Sequence, residues 1–229
     1  MKLSIFLAIG LFLSELVSAQ SAVDFANLAK YRDDNSAIVN TKKKVDVVFM
    51  GNSITEGWVK SHSEFFSENN YVGRGISGQT SSQMLLRFQN DVVALKPRLV
   101  VINAGTNDIA ENAGAYNPDF TFNNIKAMAD IARSNGIKVI IASVLPAASF
   151  PWRKEITDVA QKVDALNSKL KQYSHSHKLA FTDYNTVMRN EKGGMREGLS
   201  SDGIHPNSAG YAIMEPIIKN AVHQALGRK

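Results

Sequence analysis

The strand-length segments of this chain are nearly all apolar, and they do not alternate. Val45-Asp46-Val47-Val48-Phe49-Met50 opens after three lysines and stops at Gly51. Leu99-Val100-Val101-Ile102-Asn103, Ile137-Lys138-Val139-Ile140-Ile141 and Leu179-Ala180-Phe181 repeat the pattern, with a weaker strand at Tyr71-Val72. A strand that is apolar on successive residues is covered on both faces, which is the situation of a parallel sheet between helical layers. The stretches between them carry helical periodicity. Leu85, Phe88, Val92 and Leu95 form a stripe that Pro97 should end, and Phe122, Ile125, Met128 and Ala132 form one closed by Gly136. Ile156, Val159, Val163, Leu166, Leu170 and Tyr173 form a third, and a last helix from about Ser208 to Leu226 carries Tyr211, Met214, Ile218 and Val222, with a kink expected at Pro216. Strand–helix alternation predicts a single α/β domain, a three-layer sandwich around a mostly parallel sheet. In such sheets ligands bind at the carboxyl ends of the strands.

Composition narrows the class. With 229 residues, 44% hydrophobic and 21% charged, the chain suits one globular domain and excludes disordered and fibrous classes. The net charge of +5 is scattered, with no basic run longer than Lys42-Lys43-Lys44, so a solvated surface is expected rather than a nucleic-acid partner. Cysteine is absent, which excludes disulfides, a thiolate nucleophile, thiolate metal sites and a thioether-linked lipid. Lys2, the apolar run Leu3 to Leu13 and the small residues of Val17-Ser18-Ala19 read as a signal peptide over residues 1–19, leaving one domain at 20–229. The run is about half of the ~20 residues a membrane span needs. A secreted or periplasmic protein without stable membrane insertion is expected.

Four polar, glycine-bearing segments follow the strands or precede the last helix: Gly51-Asn52-Ser53-Ile54, Gly73-Arg74-Gly75-Ile76-Ser77-Gly78, Gly105-Thr106-Asn107-Asp108 and Asp202-Gly203-Ile204-His205. Acyl transfer from an ester needs a hydroxyl nucleophile, a base, a group that orients the base, and donors for the oxyanion. Ser53 can expose its hydroxyl in a tight turn after a buried strand. Asp202 lies three residues before His205, close enough for one carboxylate to hold Nδ1 while Nε2 faces a serine. Gly78 can offer a backbone N–H at close approach, and Asn107 a neutral side-chain amide.

These segments, in this order, resemble the motif blocks of the SGNH, or GDSL, hydrolase superfamily, which carry Ser, Gly, Asn and His. Asn52 stands where Asp is commoner and Ile54 where Leu is commoner. The resemblance implies a flavodoxin-like sheet of five parallel strands and an oxyanion hole built from the backbone N–H groups of Ser53 and Gly78 and the side chain of Asn107. It also implies chemistry without a cofactor. Within the superfamily the chain is most similar to secreted bacterial members akin to platelet-activating-factor acetylhydrolase and to carbohydrate acetylesterases. A short, acetyl-type ester on carbohydrate is therefore the expected substrate. The alternatives are a lysophospholipase or thioesterase on the same triad and, from a different class, a catalytically silent sugar-binding module.

Other signals read as structural. Gly73, Gly75 and Gly78 also spell a dinucleotide fingerprint, yet no strong strand precedes it and Asp91, the next acid in reach, is only 13 positions on. His62, His175, His177 and His223 are expected at the surface, and no His/Asp/Glu cluster shows metal spacing, so no metal is expected. Trp58 and Trp152 are either packing aromatics or the rim of an acyl or sugar pocket.

Overall fold

The computed structural model describes residues 24–227. The proposed signal peptide at 1–19 lies outside the described residues. Five strands, β1 (Val47–Gly51), β2 (Tyr71–Gly75), β3 (Leu99–Ile102), β4 (Lys138–Ala142) and β5 (Ala180–Thr182), form one sheet in the order β2-β1-β3-β4-β5. All four pairings are parallel, with Val47 opposite both Tyr71 and Leu99. The helices are α1 (Arg32–Asn40), α2 (Ser53–Ser61), α3 (Ser63–Ser67), α4 (Ser81–Asp91), α5 (Thr106–Ile109), α6 (Pro118–Ser134), α7 (Val159–Ser176), α8 (Asn185–Met188) and α9 (Ser208–Leu226). The chain leaves β1 toward β2 on one side and then crosses to β3 on the other. The direction of winding therefore reverses at β1 and β3, where Ser53 and Asn107 emerge.

Every residue of β1 is buried, and successive side chains enter opposite layers. Val48 and Met50 join Met84, Phe88, Ile125, Met128, Val163 and Leu166 on one face. Val47 and Phe49 meet Trp58, Phe65, Tyr211, Met214 and Ile218 on the other. This two-sided burial is why the strands read as unbroken apolar runs.

Four expectations need correction. The weak strand at Tyr71-Val72 runs on through Gly75, because its glycines let the backbone press against α2: a Cβ on Gly75 would sit 2.3 Å from the Glu56 nitrogen. The glycine-rich run is thus a packing device. The helix expected to continue to Pro97 ends at Asp91, and a 3₁₀ turn, Val93–Leu95, follows before Lys96 adopts a left-handed conformation. Trp58 is only 2% exposed, stacked between Phe65 and Tyr211 at ring separations of 5.2 and 5.6 Å, so it belongs to the core and not to a pocket rim. His175, His177 and His223 are exposed, whereas His62 is half-buried against Glu215 and Ser208.

Arg87 of α4 is fully buried. Its Nε donates to Gln79 Oε1 (2.5 Å), Nη1 to Asp91 (2.8 Å), and Nη2 to the carbonyls of Gly51 and Arg74 (2.9 Å each). Burial pushes the guanidinium pKa down, and the Asp91 ion pair works against that shift. Removing one partner of a buried pair leaves the other charge without compensation. Arg87→Met should therefore cost about 3–5 kcal/mol, seen as a lower urea midpoint at unchanged slope. Replacing Asp91 with Leu in the same chain should recover part of the loss. A single variant as stable as the parent would contradict this account.

Candidate active site

Ser53 is the first residue of α2 and follows β1 by a single residue. Asn52 makes that turn: its side-chain Oδ1 accepts from the Ile54 N–H at 3.0 Å and caps the helix. Its Nδ2 is buried without a partner among the described residues. Capping needs only an oxygen, which Asn and Asp both supply.

The segment before α9 is shaped by Asp202. Its Oδ1 accepts from the backbone N–H groups of Ile204 (2.9 Å) and His205 (2.8 Å), and the Ser200 hydroxyl donates to it at 3.0 Å. Its Oδ2 is 2.6 Å from His205 Nδ1, and His205 Nε2 is 2.8 Å from Ser53 Oγ. One oxygen thus folds the turn and the other holds the imidazole. Burial works to raise the Asp202 carboxyl. The His205 ring and the two N–H donors outweigh it and hold the group well below the usual carboxylate range. Both Asp202 and His205 keep 39% of their side-chain surface exposed, so the pair sits at an open surface.

Ser53 and His205 are 152 positions apart, and α9 brings them together. Tyr211, one turn into α9, donates its hydroxyl to the Ile54 carbonyl at 2.9 Å and stacks on Trp58 of α2. Gly57 permits the approach, since a Cβ there would lie 2.7 Å from the Tyr211 oxygen.

The glycine and asparagine segments are tied to this frame from two sides. Glu56, one turn after Ser53, accepts from the Ser77 N–H and hydroxyl, each at 2.8 Å. Lys30 and Lys60 brace the same carboxylate at 2.9 and 3.0 Å. Burial works to raise the Glu56 pKa, but the two lysines and Ser77 hold it at about 2. On the other side, the Asn107 Nδ2 donates to the Gln79 carbonyl at 2.9 Å. Between them lies Gly78, with φ +77° and open space where a side chain would point. The backbone N–H groups of Ser53 and Gly78 have no hydrogen-bond partner among the described residues. Asp108 points away, into a buried network with Ser81, Thr121 and, through Ser81, Asn124. Burial pushes its carboxyl pKa up against the bonds from Ser81.

Trp152 lies at the surface, 43% exposed, its ring 6.2 Å from that of His205 and inclined 28° to it. Its Nε1 donates to Asn112 Oδ1 at 3.4 Å. Sequence reasoning missed Glu56, Gln79 and Arg87. Nothing in the order of residues pairs Glu56 with Ser77 or Gln79 with Arg87 and Asn107; only the fold does.

A base hydrogen-bonded to a half-buried hydroxyl, and itself held by a carboxylate, can draw a proton from that hydroxyl as it attacks. Residues 49–213 match the model of the GDSL-like lipase/acylhydrolase family. The chain belongs to that family, and it is a hydrolase. It is 53% identical to a GDSL-like lipase from Bacteroides thetaiotaomicron of known structure, with a TM-score of 0.84 over 88% of this chain and 100% of that one. It is 27% identical over 162 residues to the esterase TesA of Pseudomonas aeruginosa, covering 69% of this chain and 73% of that protein. A shorter alignment, 30% identical over 118 residues, joins 44% of this chain to 49% of an uncharacterized lipoprotein, YqeF, of Bacillus subtilis, so the chain spans about half of that relative's length. The family's five-stranded parallel α/β fold is the fold observed.

Asp202 also predicts a pH dependence of stability. A carboxyl whose pKa is depressed by folding contributes stability above its unfolded value of about 4, and that contribution fades as pH falls toward the folded value. Asp202→Asn should melt below the parent at neutral pH, and the gap should narrow as pH drops from about 5 to about 3. A gap constant across that range would contradict a role for the ionised carboxylate.

Proposed function

We propose that this hydrolase is a serine esterase in which Ser53 is the nucleophile, His205 the base and Asp202 the group that orients the histidine. The observation that carries the reading is the continuous chain from Ser53 Oγ through both ring nitrogens to Asp202. Ser53 Oγ bonds to the ester carbonyl carbon as its proton passes to His205 Nε2. The carbonyl oxygen becomes an oxyanion, received by the N–H groups of Ser53 and Gly78 and by the second hydrogen on Asn107 Nδ2. His205 returns the proton to the departing alcohol, leaving an acyl group on Ser53. Water, deprotonated by the same imidazole, then releases the carboxylic acid. Glu56 and the Gln79 carbonyl act as positioning groups for the oxyanion donors.

The preferred acyl group in this reading is short, acetyl above all, and the alcohol is a carbohydrate. A long acyl chain needs an apolar channel, but the interior space beneath the Ser53 turn, lined by Ile54, Thr55, Trp58 and Tyr184, is a cavity of about 10 Å³. That is room for about one water. The surface around His205 is open, and Trp152 presents a flat aromatic face with a polar edge beside it, suited to a sugar ring.

Two measurements test these statements. A serine-directed fluorophosphonate at limiting dose should modify Ser53, and Ser53→Ala should lower kcat by about 10³–10⁶ with an unchanged melting temperature. First labelling of another serine, or a variant with near-normal turnover, would remove Ser53 from the mechanism. On p-nitrophenyl esters, kcat/KM should fall roughly tenfold or more from acetate to octanoate. A rise toward palmitate would favour the lysophospholipase or thioesterase alternative.

A further inference from the structure

A second serine makes the same pair of contacts as Ser53. Ser208 opens α9, and its Oγ is 2.9 Å from Nε2 of His62. Nδ1 of that ring is 2.6 Å from Oε1 of Glu215, two turns along α9, and the indole Nε1 of Trp58 donates to the same oxygen at 3.2 Å. The corresponding separations at Ser53 are 2.8 and 2.6 Å. With the carboxylate on Nδ1, the imidazole carries its hydrogen there and leaves Nε2 free to accept the hydroxyl proton. That is the tautomer a general base requires.

Local structure repeats as well. Each serine is the first residue of a helix that an asparagine caps: Asn52 accepts from Ile54, and Asn207 accepts from Gly210. The N–H groups of Ser208 and Ala209 have no partner among the described residues. Ser208 is exposed, and an open groove of about 420 Å³ lined by His62, Phe65, Glu215 and Lys219 adjoins the carboxylate side of the relay. A plain structural tie between α2 and α9 would need only one hydrogen bond from His62. Here the ring is ordered from both sides, and the far side ends on a solvent-reachable hydroxyl.

We propose that Ser208, His62 and Glu215 form a second, independent nucleophilic site that takes small activated esters and phosphonates. In the reaction, Ser208 Oγ bonds to the carbonyl carbon and its proton moves to His62 Nε2, whose charge Glu215 offsets. The bond to the leaving alcohol breaks, and the alcohol departs with that proton. With a fluorophosphonate, Oγ bonds to phosphorus, fluoride leaves, and the proton passes from His62 to water. Among the described residues no side-chain amide comparable to Asn107 joins the two helix N–H groups. Loss of one such donor slows acyl transfer by about 10²–10³, so Ser208 should react more slowly than Ser53 by roughly that factor.

The test uses the full chain carrying Ser53→Ala, treated with a fluorophosphonate and read by intact mass and peptide mapping. One adduct is expected, on Ser208, absent when Ser208→Ala is added and at least roughly tenfold slower to form when Glu215→Gln is added. His62→Gln serves as a second variant against the same prediction, with melting curves confirming that each protein is folded. An unmodified Ser53→Ala protein would overturn the proposal. So would an adduct that persists without Ser208, or Ser208 labelling indifferent to both Glu215 and His62. Failure here leaves the Ser53 reading standing, since that reading is judged on the parent protein at limiting reagent.

Discussion

Arg87 places a permanent cation where water does not reach, and a buried guanidinium is tolerable only when its donors are spent on fixed acceptors. Its four bonds go to Asp91, Gln79, the carbonyl of Gly51 that ends β1 and the carbonyl of Arg74, one residue before the end of β2. The charge therefore sets the spacing between the serine turn and the glycine segment. Gln79 carries the constraint onward, because its own carbonyl holds the Asn107 amide. Substituting a flexible or neutral side chain would loosen three strand-end segments at once. Gly78 and Asn107, the donors of the proposed mechanism, owe their position to a residue that bonds to neither of them.

The fourth segment is positioned by different means. Among the described residues no hydrogen bond runs from the Asp202–His205 turn to the sheet; the turn rides on α9, and α9 is fitted to α2 through Tyr211, Trp58 and the space left at Gly57. The contact between Ser53 and His205 thus depends on apolar packing, while Gly78 and Asn107, the oxyanion donors of the proposed mechanism, depend on a buried polar network. Packing of this density tolerates little displacement. The 2.8 Å contact between Ser53 Oγ and His205 Nε2 tolerates little either.

Much of this was legible in the residues. Strands buried on both faces announce themselves by composition, so the sheet and its parallel sense were readable. Asp202 and His205 are close in sequence, and their pairing is a local matter of turn geometry. Contacts between distant residues left no such trace. Glu56 looks like an ordinary surface acid on an amphipathic helix until Ser77 is beside it, and Arg87 interrupts an apolar stripe in a manner that suggests solvent rather than core. Trp58 was ambiguous because a residue near a strand end can face either the pocket or the opposite layer, and helix phase decides. The extent of β2 was hidden because its last residues are chosen for close approach to α2 and not for β propensity.

The chain has two tryptophans, and the fold has separated them completely. Trp58 is enclosed by rings and hydrogen-bonded to Glu215; Trp152 stands in solvent beside His205. Their light emission consequently carries two distinct messages. Trp58 is shielded from aqueous quenchers for as long as α2 and α9 stay packed, while Trp152 meets every solute that approaches the histidine. A single intrinsic fluorescence spectrum, resolved by quencher accessibility, thereby separates the integrity of the scaffold from the occupancy of the surface where substrate would land.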